Sequence, residues 1–510
     1  MSLPSGPLAG RYPAVAAMAL LALVPYLALS SALSPLAPLI SRDLEMSPQT
    51  LSLGLGLGNA GYAVGTVLAV VFAQHLPQRV MLVSYAALSV VGSVLLASAQ
   101  DPAMFITGHV LQGLTTSLLL IAAVPPLALG FGAEKLRYTS VTMSICIFGA
   151  VALGPTVGGI QADADQWRPL LWIVAGIAVA ALVLTVLTYD HTPPADRTAP
   201  KDPLALSMAA VGSIAAFFGA SELTSHGFWS TWTALPLFGG LAVIVLLIVI
   251  QVRSSNPLLP LGPLLSSTIP ISGLVIALCA AAASVSVGDL TLTLVTEQRG
   301  ALHAGLLFLP ELAGALLAAV GLGIVIERKW LLVLPPVGMG FLAAGIVVFM
   351  LQIPAGTGVA LIGSGLTGVG LGATVAPALF GAGFTQRAPT LQRVFAMVEL
   401  LRAVAAFLIA PVFVYVADTI GGSSTHGTRV VLWISLAVVV VGTVVAVAVY
   451  AVGGARLQTP QMTRFLDGDG PALESPPLFA RFRRNRGVEE QLTDDDMHSL
   501  VVEESGTPPH

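Results

Sequence analysis

The sequence predicts an all-α polytopic membrane protein, and three observations lead to this fold class. Hydrophobic residues make up 55% of the 510-residue chain and charged residues only 9%, whereas an ordinary soluble domain carries about 25% charged residues. Fourteen apolar stretches reach or approach the roughly 20 residues that a helix needs to cross a bilayer. These stretches are continuous and not alternating, and a bilayer offers no water to backbone groups, so helices are predicted and not β-strands.

The apolar stretches and the connectors between them give the order of elements. The predicted spans are 14–39, 51–73, 79–98, 103–128, 138–161, 169–188, 204–221, 231–252, 268–295, 303–326, 330–351, 357–384, 393–417 and 429–452. Pro-rich connectors follow the sixth and eighth spans, at 189–203 and 253–265, and such segments do not continue a helix. The predicted division is a six-helix bundle, a linker with two inserted helices, a second six-helix bundle and a tail, at 1–188, 189–265, 266–454 and 455–510.

The distribution of Lys and Arg predicts the orientation, because cytoplasmic loops carry an excess of both. One set of loops holds twelve basic residues: Arg11, Arg79, Lys135, Arg137, Arg197, Lys201, Arg253, Arg328, Lys329, Arg387, Arg393 and Arg456. The opposite set holds only Arg42, Arg168, Arg299 and Arg429. This asymmetry predicts that both chain termini are cytoplasmic.

The two six-helix bundles show a weak internal repeat. A shift of 256 positions aligns Arg137 with Arg393 and Pro155 with Pro411. In each half, a basic residue at a helix start is followed 18 residues later by a proline. Parallel repeats of this kind build alternating-access transporters, whose substrate site lies near the membrane midplane between the halves.

A glycine-rich hexapeptide near the outer end of the fifth span is the sharpest motif. Its sequence is Gly154-Pro155-Thr156-Val157-Gly158-Gly159. Glycine and proline weaken a helix and let another backbone approach closely, so tight packing alone is one explanation. The hexapeptide also resembles the antiporter motif of the major facilitator superfamily, which reads G-P-x-x-G-G.

Three further segments extend this resemblance. Gly108-His109-Val110-Leu111-Gln112-Gly113 in the fourth span resembles the R-V-L-Q-G element of the superfamily, with His109 in place of arginine. Residues 304–310 (AGLLFLP) are similar to the A-G-L-x-x-L-P element of its fourteen-span drug:proton antiporters. Glu399-Leu400-Leu401-Arg402 resembles their N-x-x-R element.

Two other elements depart from the family pattern. In VVFAQHLPQR (70–79), Gln74 replaces the acid of the loop after the second span, so we expect the usual acid–base latch between cytoplasmic helix ends to be missing. In LALSSALSPLAP (27–38), Leu29 replaces the acid of the first span. Together with His109, these changes predict a protein that couples to protons differently from typical members or does not couple at all.

The resemblance implies the major facilitator fold and a secondary active exporter of hydrophobic or cationic drug-like molecules, driven by proton antiport in a bacterial inner membrane. It implies a monomer whose partners are a small-molecule or lipid substrate, protons and membrane lipids. A transporter of lipid-like products and a non-transporting membrane scaffold or sensor remain alternatives. No nucleophile–base pair, phosphate loop or metal-ligand cluster is recognisable in the sequence, so we expect no enzyme activity, cofactor, metal or nucleic-acid partner.

Ionisable residues at membrane depth are the candidates for proton coupling, because each costs about 2.5–3.5 kcal/mol on insertion scales. They are His109, Asp289, Glu311, Glu399 and Arg402. Glu399 and Arg402 share a helix face and form either a structural ion pair or an exchange site. Glu311 follows Pro310, where it either stabilises a helix start or carries protons. His109 is either a packed polar residue or a titrating group.

A second set of residues is predicted to line a cavity for amphipathic substrates, with core or lipid-facing packing as the alternative. These residues are Tyr26, Tyr62, Gln112, Phe148 and Phe308. The tail carries a basic cluster at 481–486 and an acid-rich stretch at 489–504. We expect it either to be solvated or to bind anionic headgroups.

Overall fold

The computed structural model describes residues 6–189, 202–254, 257–259, 261–420 and 424–478. Fourteen helices in these ranges are long and apolar enough to cross a membrane. They are α1 (Tyr12–Asp43), α2 (Pro48–His75), α3 (Gln78–Ala97), α4 (Pro102–Leu129), α5 (Ala133–Asp163), α6 (Arg168–Thr188), α7 (Pro203–Ser221), α8 (Thr231–Arg253), α9 (Thr268–Arg299), α10 (Ala301–Val325), α11 (Leu334–Leu351), α12 (Thr357–Phe384), α13 (Leu391–Ile420) and α14 (Ser424–Val452). The predicted fold class and number of spans are therefore confirmed.

Local sequence signals set several helix ends. The Ser47 hydroxyl accepts a hydrogen bond from the Thr50 backbone N–H at 3.1 Å, with Pro48 as the first residue of α2. Asp101 caps α4 in the same way through the Met104 N–H at 2.9 Å, ahead of Pro102. A side-chain acceptor satisfies an N–H that the helix itself leaves free, and proline has no N–H to satisfy.

The helices form two bundles and an inserted pair. We call α1–α6 the first half and α9–α14 the second half; α7 and α8 pack on each other, and α7 also packs on α2. The fifth helix of each half packs on the second helix of the other half, as α5 on α10 and α13 on α2. This reciprocal pairing is the arrangement expected of two related halves, and the largest buried apolar cluster is continuous across both.

We call the membrane face at which α1 begins and α14 ends the inner face, and the opposite one the outer face. The Lys and Arg distribution predicts that the inner face is cytoplasmic. Part of the predicted tail belongs to the folded body on this face. The Leu473 N–H donates to the Phe384 carbonyl at 2.9 Å, and Ser475 Oγ accepts from the Ile269 N–H at 3.0 Å. Both clusters predicted in the tail, at 481–486 and 489–504, lie outside the described residues, as does most of the linker after α6.

Candidate functional site

A buried ion pair lies within α13, where this helix meets α2, and a hydrogen bond from α2 links it to the other half. Arg402 Nε donates to both oxygens of Glu399 at 3.0 Å, and Arg402 Nη2 also donates to Oε1. The Tyr62 hydroxyl, from the first half, donates to Glu399 Oε1 at 2.6 Å. The three residues are between 0% and 7% exposed. Since an unpaired charge at this depth is costly, the short i, i+3 spacing and the tyrosine together allow Glu399 to be buried as an anion.

Aromatic rings continue this cluster into the first half. Tyr62 stacks on Tyr26 with ring centres 6.1 Å apart, and Tyr26 lies 5.7 Å from the imidazole of His109. Phe407 covers the other side, 6.0 Å from the Arg402 guanidinium carbon. Gly58 makes room for His109, because a Cβ there would collide with the imidazole. The structure therefore brings together five candidates that the sequence places on four different spans.

Two residues of this cluster have buried polar atoms that no described residue hydrogen-bonds. The Tyr26 hydroxyl and His109 Nδ1 are buried and have no hydrogen-bond partner among the residues that the structure describes. Gln112 lies nearby on the His109 helix and donates to Ser93 Oγ at 2.9 Å. Tyr26 and Gln112 line a void of about 10 Å³ in the first half, which is about the space of one water molecule.

A second acidic site lies nearer the outer face. Asp289 is ten residues before the end of α9, and Glu311 is ten residues after the start of α10. Within α10 the helix is interrupted at Leu309, and Glu311 lies in the first turn of the part that begins at Pro310. Because Gly300 joins these helices, both carboxylates lie about 15 Å from the outer helix ends. Both side chains are half-buried. Within the described part of the chain, neither carboxylate has a hydrogen-bond or ion-pair partner.

The glycine-rich motif forms the other contact between the halves, where α5 meets α10. A Cβ on Gly158 would lie 2.5 Å from the Ala32 carbonyl of α1, and a Cβ on Gly159 would lie 2.5 Å from the Ala301 carbonyl of α10. Thr156 Oγ1 donates to the Gly305 carbonyl at 2.8 Å. The motif therefore holds α5 against α1 on one side and α10 on the other. A π-helical turn, Ile145–Gly149, precedes it; such turns are frequent at functional sites.

The inner ends of α2 and α13 also meet. With its amide oriented to suit its neighbours, Gln74 Oε1 accepts from Arg393 Nη2 at 3.1 Å and from Nε at 3.2 Å. Gln392 Nε2 donates to the Ile121 carbonyl of α4 at 3.1 Å. An uncharged amide thus occupies the place where the family pattern carries an acid. The link between the halves is a hydrogen bond to a cation and not an ion pair.

The remaining predicted residues lie elsewhere. Phe148 is buried in the π-helical turn of α5. Phe308 is 2% exposed and stacks on Phe349 at 5.9 Å in the core of the second half. Leu29, at the position of the missing acid, is 1% exposed in an apolar cluster of the first half.

Sequence reasoning missed two partners in these sites. Gln74 and Arg393 were each singled out, one as a replaced acid and the other as half of the repeat, yet no local pattern pairs residues 319 positions apart. Phe407 gave no signal, because one phenylalanine in an apolar span is ordinary. Only the packing of α2 on α13 brings these residues together.

The comparisons with known proteins agree with this architecture. Residues 18–379 match the family model of the Major Facilitator Superfamily. The uncharacterized MFS-type transporter YubD of Bacillus subtilis (strain 168) is 23% identical over 414 residues, which cover 77% of this chain and 78% of YubD. The cephamycin export protein CmcT of Amycolatopsis lactamdurans is 29% identical over 167 residues, or 32% of this chain and 34% of CmcT. The multidrug resistance protein Stp of Mycobacterium tuberculosis (strain CDC 1551 / Oshkosh) is 24% identical over 67% of this chain and 64% of Stp.

Solved structures show the same fold at low sequence identity. A POT family transporter in complex with a thioalcohol-conjugated peptide aligns with a TM-score of 0.62 and 12% identity, over 86% of this chain and 96% of that one. The proton:xylose symporter XylE aligns with a TM-score of 0.58 and 13% identity, over 85% and 94%. With its fourteen helices, its reciprocally packed halves and a family match over most of its length, this chain belongs to the major facilitator superfamily.

Proposed function

We propose that this transporter exports hydrophobic or cationic drug-like molecules across a bacterial inner membrane in exchange for protons, with both termini cytoplasmic. The observation that carries the proposal is the pair Asp289 and Glu311. Two carboxylates share one depth in the bundle, without a cationic partner among the described residues. Their position beside the contact between the halves supports a role in the transport cycle: Leu312, next to Glu311, would touch a Cβ on Gly149 of α5 at 3.5 Å.

The chemistry of the pair favours exchange. Two like charges at one depth of the bundle repel, and membrane burial adds to the cost of keeping both ionised. A bound proton or a bound cation lowers that cost, and the two compete for the same oxygens. Competition of this kind is what antiport requires, because protons arriving from outside displace a cationic substrate that entered from inside.

Glu399 has a different role in this proposal. Its two oxygens already accept hydrogen bonds from Arg402 and Tyr62, so it has fewer free lone pairs with which to bind a cation. Since Tyr62 belongs to the other half, its hydrogen bond to Glu399 forms only while α2 and α13 are in contact. We assign proton exchange to Asp289 and Glu311, and assign Glu399 and Arg402 to the link between exchange and movement of the halves.

Several relatives point to the same substrate class. CmcT is named for cephamycin export and Stp for multidrug resistance. These names belong to those proteins, and the matches are 29% identical or less. They support an organic molecule, not an inorganic ion, as the substrate of this chain.

The proposal is tested with purified protein in liposomes that contain a pH-sensitive dye, with a proton gradient imposed and ethidium added. We expect wild-type protein to couple ethidium movement to proton movement, and Asp289→Asn or Glu311→Gln to lower the coupled flux at least about tenfold. Glu297→Gln is the matched control, because Glu297 is an exposed acid on the same helix as Asp289. Undiminished coupled flux in the Asp289→Asn/Glu311→Gln double variant would contradict the assignment.

A lipid-like substrate is the second candidate, and the apolar packing of Leu29 in place of an acid favours it. In that case no cation drives proton movement in the liposome assay. A fluorescent phospholipid would instead move between leaflets in wild-type liposomes, and the rate would be unaffected by Asp289→Asn. The two candidates therefore give opposite results with the same preparation.

A further inference from the structure

One cavity lies inside the second half, at its inner end and away from the contacts between the halves. Its volume is about 240 Å³. The first two turns of α9, the last turns of α12 and α14, and the start of α11 form its walls. Leu457 lines the cavity and is nevertheless 47% exposed, so the cavity opens to the surroundings where the chain leaves α14. Nothing in the proposed transport cycle uses this space.

The walls are apolar apart from two hydroxyl groups. The Ser272 hydroxyl is occupied, because it donates to the Ala446 carbonyl at 3.0 Å. The Tyr450 hydroxyl is buried and has no hydrogen-bond partner in the described ranges. An apolar space with one unused polar group is typical of a site for a hydrocarbon chain that carries a polar end.

The chain segments that lead into the cavity are cationic. Arg328 and Lys329 precede the lining residue Leu331, and Arg456 precedes Leu457. All three cations are exposed. Two acids lie beside these segments: Glu327, and the exposed Glu474, whose backbone N–H donates to Gln458 Oε1 at 3.2 Å. Trp330 is 52% exposed, and Lys329 Nζ lies 5.5 Å from the centre of its ring. Tryptophan and lysine at a helix end mark the level of the lipid headgroups.

From these observations we propose that the cavity is a binding site for an anionic phospholipid of the inner leaflet. One acyl chain occupies the apolar space, and the phosphate lies at the basic rim formed by Arg328, Lys329 and Arg456. Basic pockets between membrane helices on the cytoplasmic side bind such headgroups. A free fatty acid shares this chemistry, so the test separates the two.

The test measures thermal unfolding of the full chain in neutral detergent, with phosphatidylglycerol, phosphatidylcholine or oleic acid added. We expect phosphatidylglycerol to raise the midpoint by at least about 2 °C more than phosphatidylcholine does. Gly381→Leu fills the cavity, because Gly381 lines it and a Cβ at this position would have space, with the side chain of Leu332 3.8 Å away. Gly340→Leu is the matched control on the neighbouring helix α11, where a Cβ meets nothing within 4 Å.

The proposal requires the phosphatidylglycerol effect to disappear in Gly381→Leu, to persist in Gly340→Leu and to weaken in Lys329→Gln/Arg456→Gln. A full effect in Gly381→Leu would overturn the cavity as the site. Equal effects of the two phospholipids would overturn the anionic requirement, and an oleic acid effect without a phosphatidylglycerol effect would assign the site to a fatty acid. Native mass spectrometry of co-purified lipid gives the same comparison if the Gly381→Leu protein is already destabilised.

Discussion

At the scale of single residues, the charge cluster between the halves depends on complete pairing. Glu399 accepts from Arg402 through three contacts and from Tyr62 through one. A buried ion pair of this kind adds little net stability, because desolvation offsets the attraction, but removing one partner leaves an uncompensated charge. Among the described residues, the Tyr62 hydroxyl is the one group of the first half that donates a hydrogen bond to Glu399.

Tyr62→Phe removes this hydrogen bond and keeps the ring. Because the bond is made to a charged group, we expect the free energy of unfolding to fall by about 1.5–3 kcal/mol, measured by denaturant titration in detergent. Tyr85→Phe is the control, since the Tyr85 hydroxyl is buried without a partner among the described residues and its removal should cost nothing. Equal losses in both variants would mean that the bond to Glu399 contributes no stability.

At the scale of helices, the two contacts between the halves differ in kind. Where α5 meets α10 the backbones touch through glycine, whereas α2 and α13 meet through a tyrosine, an acid and two arginines. The internal repeat shows that the charge cluster of the α2–α13 contact has no polar counterpart in the α5–α10 contact. The counterparts of Tyr62, Glu399 and Arg402 after the shift of 256 positions are Ala318, Met143 and Cys146, and all three are buried apolar residues.

The close contact of α5 with α10 predicts a strong effect of one added methyl group. A Cβ on Gly305 would lie 2.5 Å from the Pro155 carbonyl, whereas a Cβ on Gly321 of the same helix meets nothing within 4 Å. We expect Gly305→Ala to force the helices apart, lower stability by about 1–3 kcal/mol and reduce transport. Gly321→Ala should leave both unchanged in the same thermal and flux assays. Wild-type behaviour of Gly305→Ala would show that the interface is looser than described.

At the inner ends of α2 and α13, we predict a substitution that raises stability. Gln74→Glu converts the hydrogen bond to Arg393 into an ion pair, so we expect a higher unfolding temperature and slower transport, because opening the inner face must break a stronger contact. The double variant Gln74→Glu/Arg393→Gln has no such pair, so we expect its transport rate to return toward that of wild type. Its unfolding temperature should fall, because the buried glutamate then lacks a cation. Faster transport in Gln74→Glu would show that this contact does not restrain opening.

At the scale of the whole molecule, the described part of the tail ties the inner face together. The short helix Met462–Leu466 lies beside α5 of the first half, while Leu473 and Ser475 bond to α12 and α9 of the second half. The Phe465 ring packs on Phe384 at 5.4 Å. Separation of the halves at this face must therefore move the tail.

Leu473→Asp places a charge at a position that is 0% exposed and should release the tail. We expect a lower unfolding temperature and faster transport at saturating substrate, since one restraint on inner opening is lost. Glu474→Gln is the adjacent control at an exposed position. Deleting residues 457–510 should act like Leu473→Asp. Absence of flux in the wild-type protein, with a cellular defect after this deletion, would instead favour the non-transporting scaffold or sensor alternative.

The sequence predicted the helices of this fold better than their contacts. Hydrophobicity and length decide whether a segment crosses a bilayer, so the fourteen spans could be located from local composition. The partner of Glu399 at i+3 was predictable for the same local reason. Its other partner, Tyr62, is 337 positions away, and only the rotation of two helices brings them together. The tail from residue 455 was predicted to be solvated or to bind anionic headgroups, but in its described part Leu473 and Ser475 bond to α12 and α9.

The placement of Glu399 and Arg402 on one helix also has an electrical consequence. A unit charge carried across the membrane potential exchanges about 2.3 kcal/mol per 100 mV with the field, so mobile charges make a transport step voltage-dependent. These two residues stay three positions apart on α13 whatever the halves do, so they move as a neutral dipole and carry no net charge through the field. Any current that accompanies turnover must then come from groups whose charge changes during the cycle, and its size would report directly on how many protons and cations Asp289 and Glu311 exchange.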